Sequence, residues 1–194
     1  DISQFTEFRS VEDALAYEHR IDTVLTAIES CPKPTIAAIA GACTGGGAAI
    51  AAVCDIRLGA ANLRYGFPIA KTLGNCLSMA NYARLAALLG PARVIELIYS
   101  ARLIEAEEAR AIGLVSEVLP DHAALQARAA ALAATLAGHA PLTLRATKEA
   151  MRRLRAAARA MEGDDLVAMC FTSDDFREGV ESFLARRPAR WTGR

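Results

Sequence analysis

Residues 34–55 read PTIAAIAGACTGGGAAIAAVCD, and three local patterns follow one another within them. Thr35 to Ala40 is a short apolar run bounded by Pro34 and Gly41, the pattern of a buried strand. Gly45-Gly46-Gly47 then breaks the chain, and Ala48 to Val53, small and apolar throughout, reads as a helix. A strand feeding a glycine turn and a helix leaves the first backbone N–H groups of that helix without intrahelical acceptors and without side chains to screen them. Such a turn can hold a phosphate or stabilise a developing oxyanion. Glycines also serve where backbone packs closely, and the run alone leaves both readings open.

Upstream, residues 11–30 place Val11, Leu15, Ile21, Val24, Leu25 and Ile28 at helical spacing among charges, and Pro32 and Pro34 end the helix this predicts. Downstream, Ile56 to Leu58 reads as a short strand and Tyr65 to Asn75 as a loop punctuated by Gly66, Pro68 and Gly74. Helices are expected over Ser78–Leu89, Ala92–Ser100 and Ala106–Ile112, a strand over Leu114–Leu119, and long helices over Ala123–Ala137 and Leu142–Met161.

The composition excludes several classes. With 194 residues, 53% hydrophobic and 23% charged, the chain is globular and large enough to fold without a metal or disulfide staple. Its 22 basic and 22 acidic residues cancel, which argues against a surface that seeks nucleic acid or membranes generally. Arginine outnumbers lysine 19 to 3 and alanine reaches 42, an even skew of the kind coding bias leaves, without site information. Cysteines 31, 43, 54, 76 and 170 form no CxxC pair and the three histidines are scattered, so no metal site is expected and a reducing, cytoplasmic compartment fits best. No apolar run approaches the ~18 residues of a membrane span, and the polar opening Asp1-Ile2-Ser3-Gln4 is not a signal peptide.

In the last third, Arg145, Lys148, Arg152, Arg153, Arg155 and Arg159 oppose a stripe of Leu144, Met151, Leu154, Ala158 and Met161, whereas residues 162–181 carry seven acids and one arginine. Neighbouring segments of opposite sign point to mutual packing or a subunit contact ahead of an RNA-binding face.

Several motifs in order resemble the crotonase family, also called the enoyl-CoA hydratase/isomerase family. They are Lys33 to Gly41 (KPTIAAIAG), Gly45 to Gly47, Cys54-Asp55, Tyr65 to Pro68 (YGFP) with Gly74, Ala106 to Ala111 leading to Gly113-Leu114-Val115, and Thr172 to Phe183 (TSDDFREGVESF). The resemblance covers essentially the whole chain. It implies an α/β fold, with a spiral of ββα units as the core over 1–120, followed by a C-terminal helical region over 121–194 that builds trimers, often paired into hexamers. It also implies a strand-rich N-terminal part ending in Ala-Gly-x-Asp-Ile/Leu. The sequence opens at Asp1-Ile2, the tail of that motif, so the family's N-terminal part is expected to be missing from it.

The chemistry the resemblance implies is polarisation of an acyl-CoA thioester carbonyl between two backbone N–H groups. Gly46 matches one donor; the other falls three residues before Asp1, outside this sequence. Asp1, Ile2, Gly45 and Gly47 would line the substrate, and Phe183 and Arg186 would reach CoA's nucleotide end, with Arg187 and Arg190 nearby. Coenzyme A is then part of the substrate and no separate cofactor is implied. The family's hydratases use two glutamates, and the matching positions here hold Ala49 and Ile69 (or Ala70 or Lys71, by loop placement). Neither carboxylate is present, so Lys71, Thr72 and Asn75 become the candidate acid/base or polar loop residues, with Cys76 and Ser78 beside them. Two readings follow: an acyl-CoA hydratase or isomerase with an unorthodox acid/base set, or a catalytically silent acyl-CoA binder or oligomer scaffold.

Overall fold

The computed structural model describes residues 2–159 and 163–194. Its centre is a unit of two strands and a helix used twice in succession. β1 (Ile36–Ile39), β2 (Ala42–Thr44) and α2 (Gly46–Val53) form the first unit, and β3 (Ile56–Ala60), β4 (Arg64–Gly66) and α3 (Ile69–Thr72) the second. Each unit adds one strand to each of two sheets, ordered β1-β3-β6 and β2-β4-β5. In the first sheet Ile36 lies opposite Ile56 and Leu58 opposite Glu117, all parallel. In the second, Ala42 pairs with Arg64 in parallel, and Arg64 with Glu105 antiparallel.

The first unit is preceded by α1 (Val11–Glu29), whose start is fixed by a capping box between Ser10 and Asp13. After the second come α4 (Met79–Leu89), α5 (Pro91–Ser100), β5 (Ile104–Glu105), α6 (Ala106–Ala111) and β6 (Glu117–Leu119). The main core joins α1, α2, α4 and α5 to the sheets through Leu25, Ile39, Ala48, Tyr65, Leu97 and Leu114. Within it the Tyr65 hydroxyl donates to the Ala48 carbonyl at 3.0 Å, so a buried polar atom is satisfied across the two units. Arg57 donates to the Leu114, Ala51 and Cys54 carbonyls, tying β3 to the end of α2 and to the approach to β6.

Among the described residues four helices follow: α7 (His122–Ala137), α8 (Pro141–Arg159), α9 (Asp164–Phe171) and α10 (Asp174–Leu184). α7 lies on the first sheet, where Leu125 meets Leu58 and Ala60. α8 packs on α4, α9 on α1, and α10 on both α3 and the 3-10 helix Ile2–Glu7. An aromatic cluster of Phe5, Tyr17, Phe171 and Phe176 binds these last elements together.

The structure corrects several boundaries. Helix α2 begins at Gly46 and not Ala48, and the expected 65–75 loop contains β4 and α3. β2 was not expected; the strand expected over Leu114–Leu119 starts at Glu117, and the acidic 162–181 stretch holds α9 and α10. On α1, Val24 is exposed although it belongs to the expected apolar stripe, while Ala14, Glu18, Leu25 and Glu29 form the buried face. The basic face of α8 is largely paired. Lys148 bonds Asp55 at 2.8 Å, and Arg152 and Arg153 both bond Glu149. Met161 and Glu162 lie outside the described residues.

Candidate functional site

The glycine turn is built as a helix start. Gly45 adopts φ 53°, ψ −123°, a region that a side chain disfavours, and swings the chain from β2 into α2. The first turn closes where the Ala49 N–H donates to the Gly45 carbonyl at 3.0 Å, so the N–H groups of Gly46, Gly47 and Ala48 precede the helical ladder. Gly46 and Gly47 are exposed, and a Cβ placed on any of Gly45, Gly46 or Gly47 would meet nothing within 4 Å. Gly46 is the first residue of α2, so its N–H has no acceptor within that helix. One residue further in, Ala48 and Ala49 are core.

The second loop of interest runs from Phe67 through α3 to Ser78. Ile69 is buried, Lys71 is exposed, and Thr72 spends its hydroxyl on the Pro68 carbonyl at 2.9 Å. Asn75 donates through Nδ2 to the Cys76 carbonyl at 3.3 Å, and its Oδ1 is buried with no hydrogen-bond partner. Of the three candidate polar residues, Asn75 alone keeps an unused buried polar atom. Cys76 is buried, and its hydrogen bond with Cys170 pushes its thiol pKa up and that of Cys170 down, so Cys76 stays a protonated thiol. Asp55 fixes backbone: its Oδ2 accepts from the Thr35 N–H and hydroxyl and from Lys148.

Other expected positions lie apart. Ile2 begins the 3-10 helix beside the aromatic cluster, and Asp1 falls outside the described residues. Phe183 is 45% exposed near the end of α10, with Arg186 exposed two residues beyond that helix. Arg187 is engaged by Glu178 at 2.6 Å, and Arg190 donates its backbone N–H to the same carboxylate. Among the described residues no three or more histidine, cysteine, aspartate or glutamate side chains are grouped to hold a metal ion, and no helix is long and apolar enough to cross a membrane.

A group that the sequence reading passed over is Glu18. It is 7% exposed, faces inward from α1, and accepts the Ser78 N–H at 3.3 Å. Burial raises its pKa from 4.5 to about 7, against a lowering by the Ser78 hydrogen bonds and with a small further rise from Asp22. It borders a cavity of ≈910 Å³ between α1, the start of α4 and the start of α9. The available signal was the four-residue step from Ala14 to Glu18, an acid on a face that an alanine marks as buried.

The sequence profile of the family described as "Enoyl-CoA hydratase/isomerase" matches residues 1–194. The chain is 35% identical to a probable enoyl-CoA hydratase of Bacillus subtilis, over all of this chain and 76% of that one. It is 32% identical to a peroxisomal Delta(3,5)-Delta(2,4)-dienoyl-CoA isomerase of Arabidopsis thaliana, over 94% of this chain and 66% of that protein. These curated relatives are thus longer than the present chain. Among solved structures it is similar to a methylmalonyl-CoA decarboxylase in complex with 2-nitronate-propionyl-CoA, with TM-score 0.84 and 26% identity over 94% of this chain and 71% of that one. It is also similar to an enoyl-CoA hydratase/carnithine racemase of Magnetospirillum magneticum, with TM-score 0.74 and 34% identity over all of this chain and 73% of that one.

Proposed function

The chain belongs to the enoyl-CoA hydratase/isomerase family, a family of enzymes with the crotonase-like fold, and from that premise we propose that it acts on an acyl-CoA thioester whose carbonyl is polarised by the Gly46 N–H. The observation that carries this reading is the head of α2, where a backbone donor precedes the helical ladder and no side chain covers it. As the thioester carbonyl gains negative charge, a donor already oriented there stabilises the enolate-like anion more than the ground state, which lowers the barrier. Gly45 and Gly47 let the substrate approach the backbone closely. Asp1 and Ile2 are assigned to the substrate, and Phe183 and Arg186 contact CoA's nucleotide end, where the guanidinium complements phosphate charge. Coenzyme A arrives as part of the substrate, no further cofactor is required, and the location is cytoplasmic.

Gly46→Pro tests the donor. Proline is tolerated at the first position of a helix, where its missing N–H has no intrahelical acceptor, so the substitution removes the donor and leaves α2 intact. With the full-length protein, turnover of a panel of enoyl-CoA and 3-hydroxyacyl-CoA thioesters is expected to fall ~10²–10³-fold while circular dichroism is unchanged. Unaltered turnover overturns the assignment.

Ala49 and Ile69, both packed into apolar core, favour a second reading as a silent acyl-CoA binder. Calorimetry with a non-hydrolysable acyl-CoA, run beside a crotonyl-CoA hydration assay, separates the two. Binding without turnover of any thioester selects the silent binder, and absence of binding removes both readings. Lys71, Thr72 and Asn75 remain the candidate acid/base or polar loop residues, and the unpartnered Oδ1 of Asn75 suits it to accept a hydrogen bond from substrate or water and not to transfer a proton.

A further inference from the structure

We propose that Glu18 is a catalytic residue of this chain, exchanging a proton with the α-carbon of an acyl-CoA thioester whose acyl portion occupies the cavity between α1, α4 and α9. The inference rests on the acyl-CoA reading above and supplies the acid/base group which that reading lacks. Ala49 and Ile69 cannot transfer a proton and none of Lys71, Thr72 and Asn75 is a carboxyl, so a carboxyl in this role comes from another element.

Three observations converge on Glu18. It is the most buried carboxyl on a cavity of ≈910 Å³, a volume in the range of small-molecule sites, whose other walls include apolar Leu15, Met79 and Val167. No ion pair among the described residues engages it, whereas Glu29, the other buried acid of α1, is bonded to Arg84 at 3.1 Å. Its hydrogen bonds come from a single residue, the N–H and side chain of Ser78, so a carboxyl able to accept about four is only partly satisfied by them.

The titratable and charged groups around it are Tyr17, His19, Arg20 and Asp22 on α1, Cys76 and Tyr82 on the loop and α4, and Asp164 and Asp165 on α9. Its pKa of about 7 follows chiefly from burial, so near neutral pH both protonation states are populated and the same carboxyl can accept and return a proton. In the step, the α-carbon's C–H bond breaks and its proton forms an O–H bond with the Glu18 carboxylate. The C–H electron pair becomes the enolate, with its charge on the thioester oxygen. Return of a proton from Glu18 to carbon regenerates carboxylate and thioester, and no oxidant or other co-reactant is consumed.

The test uses the full-length protein in D2O with butyryl-CoA, following deuterium incorporation at the α-carbon by mass spectrometry and affinity by calorimetry. The wild type is expected to exchange, with a rate that rises through pH 7 as the base form appears. Glu18→Gln is expected to lose roughly 10²–10⁴-fold in exchange, and the pH limb with it, at unchanged Kd. Glu18→Asp is expected to restore part of the rate. Exchange in Glu18→Gln within threefold of wild type overturns the proposal, as does a joint loss of binding and exchange, which marks a structural role. Wild-type binding without exchange overturns the proposal and leaves the acyl-CoA reading standing. Absence of wild-type binding removes both.

Discussion

At the scale of single residues, a carboxyl kept buried for chemistry costs stability, and the sign of that cost can be read from its titration. Glu18 in the folded chain titrates near 7, against 4.5 when free. Between those values the folded state holds a proton that the unfolded state has lost. Stability associated with this group is therefore fully present below pH 4.5 and is lost as pH rises to about 7. The gap corresponds to about 3 kcal/mol for a full shift from 4.5 to about 7. Glu18→Gln removes the charge and keeps an acceptor for the Ser78 N–H. It should be more stable than wild type by up to about 3 kcal/mol at pH 8, with the difference shrinking toward zero at pH 4.5, as read by urea denaturation at the two pH values. A stability gain with a loss of proton exchange is the expected signature of a functional group, because a merely structural side chain loses both. Glu18 was hard to see in the sequence because what buries it is distant in the chain. Val167 of α9 closes the same cavity, and no helical periodicity within residues 11–30 reports that contact. Val24 fails for the complementary reason: its spacing is that of a core residue, but in the described chain nothing covers it and it is 53% exposed.

Secondary elements divide along the same line. The strand, glycine turn and helix of residues 34–55 were legible because each is specified locally, by β-branched residues, by glycine and by small apolar residues in turn. β2 and β4 have three residues each and are defined by each other, Ala42 with Arg64 and Thr44 with Gly66, so neither could be read alone. α3 has four residues inside a proline- and glycine-marked stretch, and its place is set by α10. There Gly179 presses against α3's end so closely that a Cβ would stand 2.3 Å from the Leu73 carbonyl oxygen. Gly179→Ala must therefore push α10 away from the loop that carries Asn75. The expected cost is about 1–3 kcal/mol by thermal or urea unfolding, together with faster proteolytic cleavage between residues 172 and 194. Cleavage and stability equal to wild type would mean that α10 is not seated on Leu73.

Across the whole molecule, the unresolved balance is between surface and cover. α8 packs on α4 by one side, yet Leu142 and Leu154 are 76% and 74% exposed and Met151 is 47% exposed. Met151 and Leu154, one turn apart, and Leu142 on another side near the helix start leave large apolar side chains of the kind that stable monomers seldom present to water in such number. Its charged neighbours are already satisfied, Arg152 and Arg153 by Glu149 and Lys148 by Asp55, so the face offers apolar surface and little unbalanced charge. That combination suits a partner of the same kind better than an anionic polymer, and it motivates the proposal that copies of this chain assemble through α8 into a trimer or hexamer. Covering one leucine completely is worth ~1.5–3 kcal/mol, so a pair of leucines repeated around a ring is a substantial part of an assembly free energy. Light scattering on the full-length protein is expected to give a trimer or a multiple of it. Leu142→Glu combined with Leu154→Glu should shift the mass to monomer, while the fold of each chain changes in stability by no more than about 0.5 kcal/mol per site, because both side chains face solvent in the isolated chain. A wild-type monomer, or a double variant that stays assembled, would place the interface elsewhere or remove it.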